Sequence, residues 1–216
     1  LREGDAVRWG PLDWDEWTAR RADEPPMPSP EEHALLEFLD ALPGRGRMTV
    51  ADLGCGAGRL LPFLARRFER VVAVDYAPAS LAVARRVCVG RDVVFRRRDL
   101  RDLTPFRNSF DAAVAVGSIV GPRPEDVDRI LSQVFASLVE GGVLAATFPA
   151  RARSSMPVPV RLAGGGLASG LLRFHEVELQ YRMRRAGFRG LRIRRFAGVE
   201  PSRDALLCVA SRRADN

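Results

Sequence analysis

Lysine is missing altogether: all 34 basic side chains are arginine, set against 27 acids for a formal net charge of +7. Guanidinium stays ionised and forks onto carboxylates and phosphates, so such a surface favours anions more than the net charge alone implies. The simplest source of the bias is a GC-rich coding sequence, which enriches Arg and Ala together. Cysteine is scarce. Cys55, Cys88 and Cys208 lie far apart in apolar surroundings without CxxC or Cys/His spacing, which argues against a disulfide framework and a zinc site, and no metal is expected. No apolar run approaches the ~18 residues of a membrane span, and no basic-then-apolar leader opens the chain, so a soluble, cytoplasmic protein without a membrane partner is expected. The first residue is Leu1 rather than Met, which predicts that a few residues precede it.

What is present suits one α/β domain: 216 residues, 46% of them hydrophobic, are enough to bury a core. The charge is segregated. Residues 1–44 carry a net −7 and residues 45–216 a net +14, with 11 Arg against Glu176 and Glu178 across 151–195. Two readings stand, an acidic arm folded back onto a basic body and an anionic substrate.

Residues 1–28, with Trp9, Trp14, Trp17 and a closing Pro25-Pro26-Met27-Pro28, read as an arm or lid, and residues 29–216 as a single domain. Ser29-Pro30-Glu31-Glu32 is a helix start with a capping hydroxyl and a glutamate three residues on, followed by Leu35, Leu36, Leu39 and Leu42 on one face. Strand-like and helix-like runs then alternate: strand 48–53, helix 59–67, strand 71–75, helix 78–88, strands 93–97 and 110–116, helix 124–139 and strand 143–148. Such alternation predicts a parallel sheet covered on both faces. After a Pro- and Gly-rich loop at 157–170, a helix at 176–186 ends at Gly187, and strands at 188–196 and 204–211 are joined too closely for a parallel crossover and must pair antiparallel.

The most informative stretch is Asp52-Leu53-Gly54-Cys55-Gly56-Ala57-Gly58, a strand end running into three alternating glycines and a helix. Glycines there let the backbone approach a ligand and take torsions that a Cβ forbids. A dinucleotide site would seat a pyrophosphate at this point, but Asp52 would repel it and suits a cationic ligand instead. Asp75 ends the next strand, where a carboxylate can accept both ribose hydroxyls, and Asp99 follows the third.

With these motifs the chain resembles the class I S-adenosylmethionine-dependent methyltransferases. The resemblance runs over about residues 30–211, through Asp52 to Gly58, Val72-Ala-Val-Asp75-Tyr-Ala-Pro78, Arg98-Asp99-Leu100, Ser109-Phe-Asp111 and Leu138-Val-Glu-Gly141-Gly142, in the order and spacing of that family. It implies a three-layer Rossmann-like sandwich whose seven-stranded, mostly parallel sheet has an antiparallel last strand. It also implies that Gly54, Cys55, Gly56 and Gly58 hold the methionine part of S-adenosylmethionine, with Asp52 near its ammonium group. Asp75 would take the ribose hydroxyls, Tyr76 pack on the adenine, Asp99 and the Leu100 backbone address the adenine edge, and Gly117 line the methionine end. Asp111 is expected to support the loop and Cys55 to be a small buried filler.

A sulfonium methyl is already electrophilic, so alignment and exclusion of water are the minimum task, and a base is needed only if the acceptor must lose a proton. His33 reads as an exposed helical residue. His175 is a candidate base whose first reading is a helix cap. The Asn/Asp-Pro-Pro-aromatic motif of nucleobase amino methylation is absent after the fourth strand, where Gly117-Ser118-Ile119-Val120 stands, and so are a Pro-Cys nucleophile, a paired-glutamate loop and an acidic metal triad. A small-molecule acceptor is left by elimination, with an RNA-directed enzyme or a cofactor-binding module without turnover, using the basic 151–195 region, as the alternative. Against nucleic acid, Phe174, Tyr181 and Phe188 fall at positions expected in the core. Within the tail, Arg151, Arg153, Arg161 and Arg173 are the arginines that would have to face an acceptor pocket.

Overall fold

The computed structural model describes residues 28–121, 123–151, 160–161, 167–168, 172–198 and 204–213. The expected arm at 1–28, with its three tryptophans, lies outside them save for Pro28, as does most of the 157–170 loop. In chain order the elements are α1 (Pro30–Asp40), β1 (Thr49–Leu53), α2 (Leu61–Leu64), β2 (Arg70–Asp75), α3 (Pro78–Val87), β3 (Val93–Arg97), β4 (Phe110–Val116), α4 (Pro124–Ser137), β5 (Leu138–Pro149), α5 (Glu176–Arg185), β6 (Arg189–Phe196) and β7 (Ala205–Ser211). The seven strands form one sheet in the order β3-β2-β1-β4-β5-β7-β6. Neighbours are parallel except at β7, which runs antiparallel to both β5 and β6. A separate two-residue ladder pairs Val160–Arg161 with Leu167–Ala168.

Strand alternation sorts the core into two layers. Ala51, Leu53, Val72, Val74, Ala113, Ala115, Leu144 and Ala146 pack on one face with α4 and α5, through Val127, Ile130, Leu131, Val134, Leu179 and Met183. Val50, Val71, Ala73, Ala112, Val114 and Ala145 pack on the other with α1, α2 and α3, through Leu35, Leu39, Leu61, Leu64 and Leu81. Strands with both faces covered are the parallel-sheet arrangement that their uninterrupted apolar runs predict. Phe110, at 1% exposure, anchors the first layer with its ring 5.4 Å from that of Phe106. Replacing Phe110 with Ala is expected to cost about 3–5 kcal/mol, read as a lower midpoint in chemical denaturation.

Three local expectations change. The helix placed at 59–67 shrinks to Leu61–Leu64. Pro62 has no N–H and crowds the carbonyl four residues before it, so the helix cannot run through it from Arg59 and the leading flank closes as a tighter turn, Leu61 N–H to Gly58 O at 3.1 Å; past Leu64 the chain leaves the helix through a turn, Arg67 N–H to Leu64 O at 2.9 Å. Helix α4 stops at Ser137 rather than 139, because Leu138 is already extended and pairs with Phe110; Gly141, at φ +78°, turns the chain before the ladder resumes at Val143. Only half of the capping box of α1 forms: the Glu32 carboxylate accepts the Ser29 N–H at 2.7 Å, while the buried Ser29 hydroxyl has no partner among the described residues.

Candidate active site

Parallel strands leave their carboxyl ends on one rim, and the sequence-predicted acids collect there. Asp52 shares the parity of Val50 in β1, and Asp75 that of Val71 and Ala73 in β2, so both belong to the α1–α3 side of the sheet. The loop that follows β1 is pinned from beneath: the Gly54 and Cys55 N–H groups both donate to Val74 O, at 2.7 and 3.0 Å. The Asp75 carboxylate then accepts the Gly56 N–H and the Ala77 N–H, each at 2.8 Å. Asp75 is therefore one fastener of the loop.

The three glycines are needed for different reasons. All have positive φ, +78°, +52° and +83° at Gly54, Gly56 and Gly58. A Cβ at Gly54 would lie 2.3 Å from Ser118 Cβ, and one at Gly58 2.9 Å from Ala84 Cβ, whereas one at Gly56 would meet nothing within 4 Å among the described residues. Gly54 and Gly58 thus serve packing, and Gly56 faces open space. Gly117 is similar, with φ +61° and no neighbour for a Cβ among the described residues, and its N–H is held by Thr147 Oγ1 at 2.9 Å.

Asp52 is 3% exposed, and its carboxylate accepts no hydrogen bond among the described residues. Burial, reinforced by the charges of Asp75 and Glu32 and only partly offset by Arg59, pushes its pKa up to about 7. Glu32, 1% exposed on α1, is itself paired bidentately with Arg59, which directly follows Gly58. Cys55 is buried with its thiol against Gly56 O, and burial followed by the Asp52 and Asp75 charges drives its pKa well upward, as expected of an inert filler.

Asp99 and Leu100 follow β3 on the same rim. Partial burial opposes the Asp99 charge, but hydrogen bonds from Arg101 outweigh it and hold Asp99 below the usual carboxylate range. The Arg101 Nε lies 3.0 Å from both of its oxygens, Nη2 donates to Oδ2 at 2.6 Å, and the Arg101 backbone N–H donates to Oδ1 at 2.8 Å. Tyr76 is half-buried between Asp75 and Ala77.

Other expected positions lie elsewhere. Asp111 accepts the Thr49 N–H at 2.8 Å, at the start of β1 and away from the glycine loop, so it ties β4 to β1 at the opposite rim of the sheet instead of supporting the loop. His33 is exposed, as expected, with its Nδ1 3.2 Å from Ser29 O. His175 is the N-cap residue of α5, yet its exposed ring makes no capping hydrogen bond. Tyr181 corrects the core assignment: Phe174 and Phe188 are fully buried, but Tyr181 is 63% exposed. The buried stripe of α5 runs through Leu179 and Met183, and a residue two positions from each points away. Arg173 donates to Ala150 O at 2.9 Å and Arg151 is exposed, while Arg153 and the Arg161 side chain lie outside the described residues.

Three contributors escaped the sequence reading. Ser118, whose hydroxyl donates to Leu53 O, closes over Gly54 from β4's end; Glu32 reaches the loop from α1; Arg101 occupies Asp99. Only the i to i+2 spacing of Asp99 and Arg101 was a local signal.

Comparison with known proteins bears on this arrangement. A family model described as a methyltransferase domain matches residues 50–142. The chain is 34% identical over 142 residues to the trans-aconitate 2-methyltransferase of Variovorax paradoxus, covering 64% of this chain and 51% of that protein. It is 32% identical over 110 residues to the cyclopropane-fatty-acyl-phospholipid synthase of Escherichia coli (strain K12), covering 50% of this chain and 27% of that one. The chain thus spans about half or less of the length of these curated relatives. Among solved structures, the 1,6-didemethyltoxoflavin-N1-methyltransferase of Burkholderia thailandensis, with bound 1,6-didemethyltoxoflavin and S-adenosylhomocysteine, superposes with a TM-score of 0.69 at 23% identity, over 97% of this chain and 93% of that one, a likeness of fold.

Proposed function

We propose that the chain is a class I S-adenosylmethionine-dependent methyltransferase, a reading supported by the methyltransferase-domain match over residues 50–142 and by the shared fold, and that it transfers a methyl group to a small, anionic molecule by in-line displacement. The observation that carries the cofactor reading is the Asp52 carboxylate, buried without a hydrogen-bond partner among the described residues beside a loop whose central glycine faces open space. A buried unpaired carboxylate is costly unless a cation meets it. The residues fit S-adenosylmethionine on that ground. Asp52 would face the ammonium group, Gly54, Cys55, Gly56 and Gly58 would cradle the methionine portion with Gly117 at its far side, Asp75 would take the ribose hydroxyls, and Tyr76, Asp99 and the Leu100 backbone would serve the adenine.

When bound, the cofactor supplies an electrophilic sulfonium methyl. The chain's own work is then to hold the two reactants in line and keep water out. A carboxylate acceptor is ionised at neutral pH and needs no base, which agrees with His175 standing exposed at a helix end. Support for an anionic small acceptor comes from the trans-aconitate 2-methyltransferase relative, from the arginine excess and from the absence of nucleobase-methylation motifs.

Calorimetric titration with S-adenosylhomocysteine, followed by methyl-transfer assays on di- and tricarboxylic acids, phenols, amines and RNA, tests the reading. Binding with transfer to the acids is expected, and transfer to RNA alone overturns the acceptor class. His175→Ala is expected to leave turnover on an acid unchanged. Gly56→Ala is expected to cost only about 1–2 kcal/mol of stability, the cost of the left-handed torsion, because its Cβ meets no atom of the described residues. Its S-adenosylhomocysteine affinity should nonetheless fall at least about tenfold, since the new methyl occupies the ligand's space.

A further inference from the structure

The Asp99 carboxylate is already occupied. Arg101 forks onto it with Nε and Nη2 and adds its backbone N–H, so three donors converge on one acid. A second acid already shares the same guanidinium: Arg101 Nη1 is ion-paired with Asp126 Oδ1 at 3.7 Å, on the first turn of α4. Asp126 is otherwise held by Arg123, whose side chain is 62% exposed. The backbone of Arg101 is fixed independently, because its carbonyl accepts Arg129 Nε at 3.0 Å. The side chain can therefore change partners while the chain around it stays in place.

From this geometry we infer that Arg101 competes with the adenine for Asp99 and yields by transferring its guanidinium to Asp126, which makes Arg101 a residue that sets how strictly the base is read. The inference rests on the cofactor reading above. An Asp99 that keeps Arg101 offers a 6-amino group little acceptor capacity and scarcely repels a 6-oxo group. An Asp99 released from Arg101 does both. No covalent step is involved; Arg101 gives up its pair with Asp99, keeps and shortens the pair it already makes with Asp126, and Asp99 gains a hydrogen bond to the base. Because Arg101 is 44% exposed, the pair it gives up is a weak one, so the exchange is small enough for a ligand to drive.

Calorimetry with two probes, S-adenosylhomocysteine and S-inosylhomocysteine, separates this from a structural role. Arg101→Met is expected to bind the adenosyl compound about 2- to 5-fold more tightly and to gain nothing toward the inosyl compound, so that discrimination rises. Asp126→Asn is expected to weaken adenosyl binding 2- to 5-fold in the unaltered chain and to have no effect in the Arg101→Met background. A structural arginine would lower affinity for both probes alike. Equal weakening of both probes by Arg101→Met, or unchanged discrimination, overturns the proposal. So does an Asp99→Ala variant that binds the adenosyl compound as the parent does, and in that case the cofactor reading survives. Failure of the unaltered chain to bind S-adenosylhomocysteine overturns the cofactor reading, and the proposal with it. Melting temperatures of the four variants without ligand identify any that fail to fold, and reading discrimination in Arg101→Gln keeps the test open if the Met variant is among them.

Discussion

Asp52→Asn is expected to stabilise the ligand-free protein at pH 8 and to abolish high-affinity cofactor binding. The Asp52 pKa is pushed up to about 7 from an ordinary 3.8, first by burial and then by Asp75 and Glu32. The folded state therefore holds a proton that the unfolded state releases, and stability falls as pH rises between about 4 and 7. Below that window both states are protonated and the substitution changes little. Above it the ionised carboxylate costs the fold about 2–4 kcal/mol, which an isosteric amide removes. Urea denaturation at pH 4, 6 and 8 should show the two proteins diverging as pH rises, with the variant the more stable. The same carboxylate must be ionised to meet an ammonium group. Parent affinity for S-adenosylhomocysteine is therefore expected to drop up to about tenfold per pH unit below 7, whereas the variant binds at least about 100-fold more weakly at pH 8 with a flat profile. A variant no more stable than the parent at pH 8 would show that Asp52 is not a buried charge in the ligand-free state.

Gly54→Ala is expected to be the most damaging of the loop substitutions, at about 3–5 kcal/mol. Two penalties add. The torsion of +78° costs an alanine about 1–2 kcal/mol, and the Cβ would sit 2.3 Å from Ser118 Cβ, closer than any real contact. Ser118 cannot retreat cheaply, since its hydroxyl is bonded to Leu53 O. The double variant Gly54→Ala/Ser118→Gly should recover the steric part and leave the torsional part. Recovery of less than about 1 kcal/mol in chemical denaturation would show that the loop relaxes by moving its backbone. Gly56→Ala, with the same torsional cost and no clash, is the control.

These two residues mark where the sequence is informative. That Asp52, Asp75 and Asp99 close successive strands was readable because parallel strands advertise themselves as short apolar runs and the acids stand at their ends. The antiparallel β7 was equally readable, because the connection around Gly198 to Arg203 is too short for a crossover. The two-layer core followed from the strict alternation within each strand. Less legible were the ends of elements, as at Leu138, where a parallel pair to Phe110 competes with helix continuation.

Partners drawn from distant segments were not legible at all. Glu32 reads as a capping residue in the sequence and does cap Ser29, yet its carboxylate also receives Arg59 from 27 positions away. Ser118 lies 65 positions from the carbonyl it bonds. Tyr181 carries an aromatic ring like its buried neighbours Phe174 and Phe188, and only the rotation of α5 about Leu179 and Met183 turns it outward.

The sequence by itself determined the layer order, the strand polarity and the rim on which the acids collect, because periodicity and connection length are properties of contiguous chain. Only the tertiary structure decided the charge state of Asp52, the occupant of Asp99 and the reason each glycine is needed, because desolvation and steric contact depend on atoms that no local stretch of sequence contains.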